Sequence, residues 1–409
     1  MRTKVKLKGG ISLIVLVITI IVMIILAAAI ILSLSNSGII SKANKAKTDT
    51  DISNAKDLVA MAHADWMLDE AKIKENDNTI TSFSNYAEKK LQEAGYKVGA
   101  GEGAYTVTED GEVHIGLTET ARTVIRAGIK VGDVVTGYTV TSTTYTTDGS
   151  ENTYNLDDPT IETTPQPQTV TANTALTWKY LGVNADGELE IMADLSTANA
   201  VATNTMVMLG GKGGYLNGPA MLNTICEKLY SKEGIGTARS MNIDDVNNIL
   251  GYTGPKGGYL DNNSNEVKTP TVLRIGDIDK KLGTSLGTIT TTPDGKALST
   301  YYADDYSINK TNDVKEMKNP GNRDLVYNAK NAYWLASPCV YAYFDNDFAG
   351  FDVRCVFATR VGTGGGVFDS DGITYGSTYA VRPVVSLKSN IQLTRNTGET
   401  EWKIELAQN

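Results

Sequence analysis

The feature that most restricts this chain is an uncharged apolar run, Ile11 to Leu34, close behind the N-terminus. A helix rises about 1.5 Å per residue, so roughly 20 such residues cross the hydrocarbon core of a bilayer. Arg2, Lys4, Lys6 and Lys8 precede the run, and positive flanks stay on the cytoplasmic side. Everything that follows is therefore expected outside the cell. The run is longer than the roughly 7–15 apolar residues of a secretory signal, and no small-x-small cleavage site clearly ends it.

A basic leader that ends in Gly10 and passes at once into GISLIVLVITIIVMIILAAAI resembles the type IV prepilin N-terminus, in its clostridial form. The resemblance implies cleavage by a prepilin peptidase after Gly10, with Ile11 as the new, methylated N-terminus and the apolar helix retained in the membrane. Other pilin subunits are then the implied partners. One position departs from the pattern: Val15 stands where pilins carry a glutamate that pairs with a neighbouring subunit's terminal amine. An unpaired carboxylate is costly in lipid, so its absence suits a minor or tip subunit. A plain single-pass anchor that never polymerises is the competing reading.

Beyond the span, Ile52, Ala55, Leu58, Val59, Ala62, Trp66 and Leu68 recur near helical spacing, which predicts an amphipathic stem. His63 and Trp66 read as packing residues on it. The expected organisation is a leader (1–10), a transmembrane and stem helix (11–75) and a connecting α/β segment (76–127). A head follows (128–409), with an insertion around 253–325. SNYAEKKLQEAGYKV predicts a short helix closing at Gly95. In the head, a Thr-, Gly- and Tyr-rich stretch reads as strands broken by a DG turn, and ETTPQPQTVTANTA as a Pro/Thr linker or long loop. WKYLGVNADGELEIMAD is a hairpin; GPAMLNTICEKLYS and RSMNIDDVNNILGY are helices, the second running from near Asn242 to Gly251. GGKGGY (210–215) lacks the GK[ST] of a phosphate-binding loop and reads as a turn.

This order, strands, helices, an irregular half and a returning strand, gives an α+β fold class. WKYLGV, Leu222 and Asn223, YWLASP and VRPVVSL together resemble the C-type-lectin fold in its formylglycine-generating-enzyme-like branch. The resemblance implies a lectin-fold head on a pilin-like stem, displayed at the surface of a bacterial cell, with a pilus tip as one expected placement. That branch includes oxidases with a closely spaced cysteine pair that binds copper. Cys339 and Cys355 are farther apart, and a thiolate needs a basic or helix-N-terminal setting that nothing here marks. They are read as an extracellular disulfide or as two free thiols, and the chain as no enzyme. The carbohydrate tripeptides of lectin relatives, EPN and QPD, are missing.

A net charge of −9 argues against a nucleic-acid partner. No cofactor is expected. Calcium, through Asp345, Asn346, Asp347, Asp352, Asp369 and Asp371, is the weaker alternative, since DSDG is also an ordinary turn.

The stretch CVYAYFDNDFAGFDVRCVFATR is the most informative part of the head. Five of the chain's six phenylalanines, Phe344, Phe348, Phe351, Phe357 and Phe368, lie in or just after it. Between Trp334 and Lys388 there is no Lys, Glu, Gln, Met or Trp. Those are the five types unreachable when the adenines of an AAC or AAT codon are changed. This resembles the variable region of a diversity-generating retroelement. The candidate ligand surface is Cys339, Tyr341, Tyr343, Phe344, Asp345, Asp347, Phe348, Phe351, Cys355, Phe357, Thr359, Phe368, Asp369, Asp371 and Tyr375. Aromatics there supply contact area at low entropic cost, and Asp supplies adaptable hydrogen bonding, toward an extracellular protein or glycan. The blander reading makes the phenylalanines core residues; Phe351 and Val353 alternate as in a strand. A lectin-fold oxidase and a structural pseudopilin without a ligand are the competing functions.

Overall fold

The computed structural model describes residues 39–159, 161, 163–196, 203–254, 259–260, 266–267, 308–343, 348–363, 367–369 and 374–406. The leader, Gly10, Ile11, Val15 and the apolar run to Leu34 lie outside them. Among the described residues no helix is long and apolar enough to cross a membrane.

The chain divides into two compact units, one running to Val98 and taking in Val107–His114, the other holding the rest. In the first, α1 (Ile39–Asn76) is interrupted at Asp69, whose φ of −153° and ψ of 50° leave the helical region. Ala55, Val59, Ala62 and Trp66 recur every three or four residues and are buried, the one-sided stripe a helix needs to pack. Against them lies α2 (Phe83–Glu93), with Trp66 meeting Phe83 and Tyr86 at ring distances of 6.2 and 5.8 Å. The Ser82 side chain caps α2 by accepting from the Asn85 N–H, satisfying one of the amides a helix start leaves orphaned. Leu68, expected on the packed stripe, is 84% exposed: it directly precedes the break at Asp69. His63 is exposed too, with its ring edge-on to Phe83.

The second unit begins earlier than residue 128. After the hairpin β1 (Tyr105–Val107) and β2 (Val113–Ile115), α3 (Glu119–Arg126) already belongs to it and buries Ala121, Val124 and Ile125. Then follow β3 (Val134–Thr136), β4 (Thr144–Thr146), β5 (Thr169–Thr171), β6 (Thr177–Val183), β7 (Leu189–Asp194) and β8 (Met206–Gly210). Next come α4 (Gly211–Tyr230), β9 (Gly236–Ser240), α5 (Ile243–Leu250) and the pair β10 (Tyr259–Leu260) and β11 (Glu266–Val267). The last part holds β12 (Ile308–Asn309), α6 (Arg323–Tyr327), β13 (Tyr333–Tyr343), β14 (Phe348–Val356), β15 (Arg360–Thr363) and β16 (Phe368–Asp369). It ends with β17 (Gly376–Ala380), β18 (Pro383–Leu387), β19 (Ile391–Thr394) and β20 (Trp402–Leu406). The fold is mixed α+β.

Two seven-stranded sheets carry this unit, one ordered β19-β20-β3-β6-β7-β18-β9, the other β12-β15-β14-β13-β17-β8 with β16 added on β14. One continuous apolar core spans both. Helix α4 touches each: the Asn223 side chain accepts from the Ser240 N–H of β9 at 3.0 Å, and Tyr215 meets Phe351 of β14 edge-on at 5.1 Å.

Three expectations change here. GGKGGY is no turn but the start of α4. A Cβ at Gly213 would lie 2.4 Å from the Ser150 carbonyl oxygen, and one at Gly211 would lie 2.5 Å from Thr153 Oγ1. The glycines are there for close approach of loop and helix. The Pro/Thr segment is no linker, since Thr169–Thr171 pairs with β4. The Gln168 amide, meanwhile, donates to Met208 O at 2.8 Å and accepts from Met208 N at 2.8 Å, so one side chain does the work of a strand neighbour. The insertion ends before 325, because Ile308, Met317 and Val326 are already core.

Arg382 stitches the sheets together. It is buried, and its Nε donates to Ala193 O of β7 at 2.9 Å while Nη1 donates to the Tyr333 hydroxyl of β13 at 2.9 Å. Its guanidinium also lies 5.0 Å from the Tyr333 ring centre. Arg382→Met keeps the bulk but strands the Ala193 carbonyl, which should cost about 2–3 kcal/mol. A urea titration checks this; an unmoved midpoint would show that the guanidinium is not a tie.

Candidate functional site

Most of the interval that lacks Lys, Glu, Gln, Met and Trp lies in the second sheet, with β13 and β14 near its centre. β13 and β14 form a hairpin in the register Trp334↔Cys355, Cys339↔Asp352 and Tyr343↔Phe348, with an irregularity between Trp334 and Pro338. Proline has no N–H for the ladder, so a bulge beside Pro338 is the expected accommodation. The displaced residues pair elsewhere: Ala336 N–H donates to Met241 O at 2.8 Å, and Ser337 Oγ accepts from Ile243 N–H at 2.9 Å. β13 runs parallel to β17 through Tyr333↔Ala380. On its other edge β14 is shared, Arg354–Val356 pairing β15 and Gly350–Phe351 pairing β16.

Burial divides the candidate ligand residues. Cys339, Phe351 and Cys355 are completely buried, so they cannot touch a ligand in this fold. This corrects the candidate surface at these three positions, and for Phe351 it agrees with the alternative reading that strand alternation with Val353 places it in the core. The physical cause is that β14 is covered on both sides: Asp352 and Arg354, the alternate positions, are as buried as Phe351 and Val353. Asp352 Oδ1 accepts from the Val367 N–H at 2.9 Å, which holds the chain after β15 back over the strand. Thr359 is exposed, Phe357 is half-buried and Tyr375 is 43% exposed. Tyr341, Tyr343, Phe348, Phe368 and Asp369 lie on described strands whose side chains are not placed there. Phe344, Asp345, Asp347 and Asp371 fall outside the described residues.

The exposed members do not stand alone. Phe357 packs edge-on against Tyr379 at 5.7 Å, with the Arg360 guanidinium 5.7 Å from the Phe357 ring. Beneath Tyr379, at 4.6 Å, lies Trp334, whose indole N–H donates to Val207 O at 2.8 Å. Tyr379 and Arg360 are not among the sequence candidates, because what places them in this cluster is their contact with Phe357 across strands, which no local pattern shows.

Cys226, Cys339 and Cys355 are all buried and none is in a disulfide, so Cys339 and Cys355 are not bridged. Burial pushes the Cys226 thiol up to about 12, against a hydrogen bond from Ser240 that lowers it. Burial, aided by the Asp352 carboxylate, pushes Cys355 up as well. A thiol held this way is protonated near neutrality and gives no nucleophilic thiolate. The folded protein at pH 8 should therefore react with a thiol reagent only on unfolding, then release colour for three thiols; fast reaction of the native protein would contradict the burial. Folded thiols with raised pKa hold protons that the unfolded chain loses above about pH 8.5, so stability should fall as pH rises past that point.

Among the described residues no group of three or more His, Cys, Asp or Glu could hold a metal ion. Of the calcium candidates, Asp352 is the one with a described side chain, and its Oδ1 is engaged by a backbone amide. In the first unit, a shallow cleft is lined by Asp77, Thr79, Asn85, Glu88, Lys89 and neighbours. Lys89 closes on Asp77 at 2.5 Å, and Glu88 accepts from the Val107 N–H at 3.1 Å. Compared with known proteins, the chain matches no family model, no curated protein and no solved structure.

Proposed function

We propose that this is a surface-displayed, pilin-like recognition protein whose C-terminal head binds an extracellular protein or glycan through the interval between YWLAS and VRPVVSL. The observation that carries the reading is compositional: no Lys, Glu, Gln, Met or Trp occurs between Trp334 and Lys388. Retroelement-type copying at AAC and AAT codons would leave that gap. The architecture is compatible with it, because the flanking Tyr333–Leu335 and Val384–Val385 are core residues while Thr359 and Tyr375 reach solvent. A lectin-like head and a pilin-like membrane anchor belong to the same proposal, resting on the motifs quoted above.

The gene tests the origin of the interval and binding tests its use. Tyr, Asp and Phe positions should be encoded by codons one or two adenine changes from AAC or AAT, with a near-repeat and a reverse transcriptase nearby. Chains differing in 340–379 should bind different partners when presented on one scaffold. If exchanging the interval leaves the bound partner unchanged, it does not determine specificity and the recognition role falls.

A further inference from the structure

The loop between Tyr154 and Gln166 presents large apolar side chains to water although its backbone is tied down. Leu156 is 81% and Ile161 54% exposed. The tethers are several: Gln166 Nε2 donates to Tyr154 O at 2.7 Å, Thr163 N–H donates to Thr153 O at 3.0 Å, and Tyr154 itself lies against Gly210 and Gly376. Both the amide and the hydroxyl of Thr374 donate to Pro159 O at 2.7 Å. That pair sets the loop beside Tyr375, the exposed aromatic of the codon-restricted interval. A pinned loop that leaves Leu156 and Ile161 in water forgoes burial a floppy one could find, and such patches mark contact surfaces.

Charge says what fits there. From Val131 to Trp178 the sequence contains no Lys or Arg, while Asp148, Asp157 and Asp158 flank the loop; Asp148 and Asp157 are exposed. Lys212, at the start of α4, is half-buried and already engaged. An apolar centre with an acidic rim complements a surface of opposite sign around an apolar knob. We infer that Leu156, Ile161 and Tyr375 form a docking surface, with a fixed limb outside the diversified interval, for a basic polypeptide segment carrying apolar anchors. The inference deepens the recognition reading by naming a partner class, and it differs from it in resting on a loop the codon pattern does not reach.

Three short peptides test it on the full chain in detergent: one alternating Lys and Leu, one alternating Glu and Leu, one alternating Lys and Ser. The Lys/Leu peptide should bind, more weakly as salt rises. Leu156→Ser with Ile161→Ser should weaken it about tenfold or more without altering charge, and Asp157→Lys should weaken it too. The Glu/Leu and Lys/Ser peptides should bind at least about tenfold less well. Equal binding of Glu/Leu, or Lys/Leu binding unchanged by the double Ser variant with its melting temperature intact, overturns the inference. Neither result touches the interval exchange described above, so the two readings can fail separately.

Discussion

Trp334→Ala should be among the most damaging single changes in the head, costing about 3–5 kcal/mol. The indole is completely buried, packs at a tilt against Tyr379 with ring centres 4.6 Å apart and donates to the Val207 carbonyl two strands away. Alanine removes the ring, leaves a cavity at the junction of β13, β17 and β8, and strands a buried acceptor. Against a total stability of about 5–15 kcal/mol, that is a large fraction. Thermal denaturation should show the midpoint falling by about 10 °C. Trp334→Phe separates the causes: it keeps a ring against Tyr379 and loses the N–H, so it should cost about 1–3 kcal/mol. A Trp334→Ala midpoint within about 2 °C of the parent would mean that the second sheet does not depend on this anchor.

Individual elements are legible in the sequence where local chemistry and tertiary demand agree. Helix α5 is the clearest case. Asn242 accepts from Asp245 N–H while the Asp245 carboxylate accepts from Asn242 N–H, and Gly251 turns left-handed at φ 58° to end it. Each of these signals lies within the segment itself. The hairpin of β6 and β7 was likewise visible from its turn, where Asn184 N–H donates to Glu188 O.

The misreadings share a cause: a residue's local preference was overruled by what lies across from it. Gly211, Gly213 and Gly214 oppose helix by propensity, yet α4 begins with them; at Gly211 and Gly213 the loop at Ser150 and Thr153 passes too close for side chains. No window of sequence around GGKGGY contains that loop. The site was harder still. Alternation assumes one wet face, whereas β14 has both faces buried and places Asp352 and Arg354 inside. Composition flags the interval as unusual and alternation points Phe351 inward, but neither sorts Cys339 and Cys355 from Tyr375.

That sorting yields the sharpest remaining test. If Phe351 is core, Phe351→Ala should cost about 3–5 kcal/mol by opening a void against Tyr215. Phe351→Leu, closer in volume, should cost markedly less. Tyr375→Ala and Thr359→Ala, at exposed positions, should change stability by no more than about 0.5 kcal/mol. The exposed pair should instead change which partner the head binds, or how tightly. Denaturation midpoints and binding to any one identified partner, measured on the same four variants, give opposite rankings if burial governs these positions. A stable Phe351→Ala that has lost its partner would return Phe351 to the ligand surface, and would mean that β14 opens to bind. Under the burial seen here, substitution at Phe351, Cys339 and Cys355 is constrained by packing. Substitutions tolerated there should stay small or apolar, while Thr359 and Tyr375 tolerate charge. Natural variants of the interval, aligned on YWLAS and VRPVVSL, should therefore show Asp and Arg at positions equivalent to 359 and 375 far more often than at 339, 351 and 355.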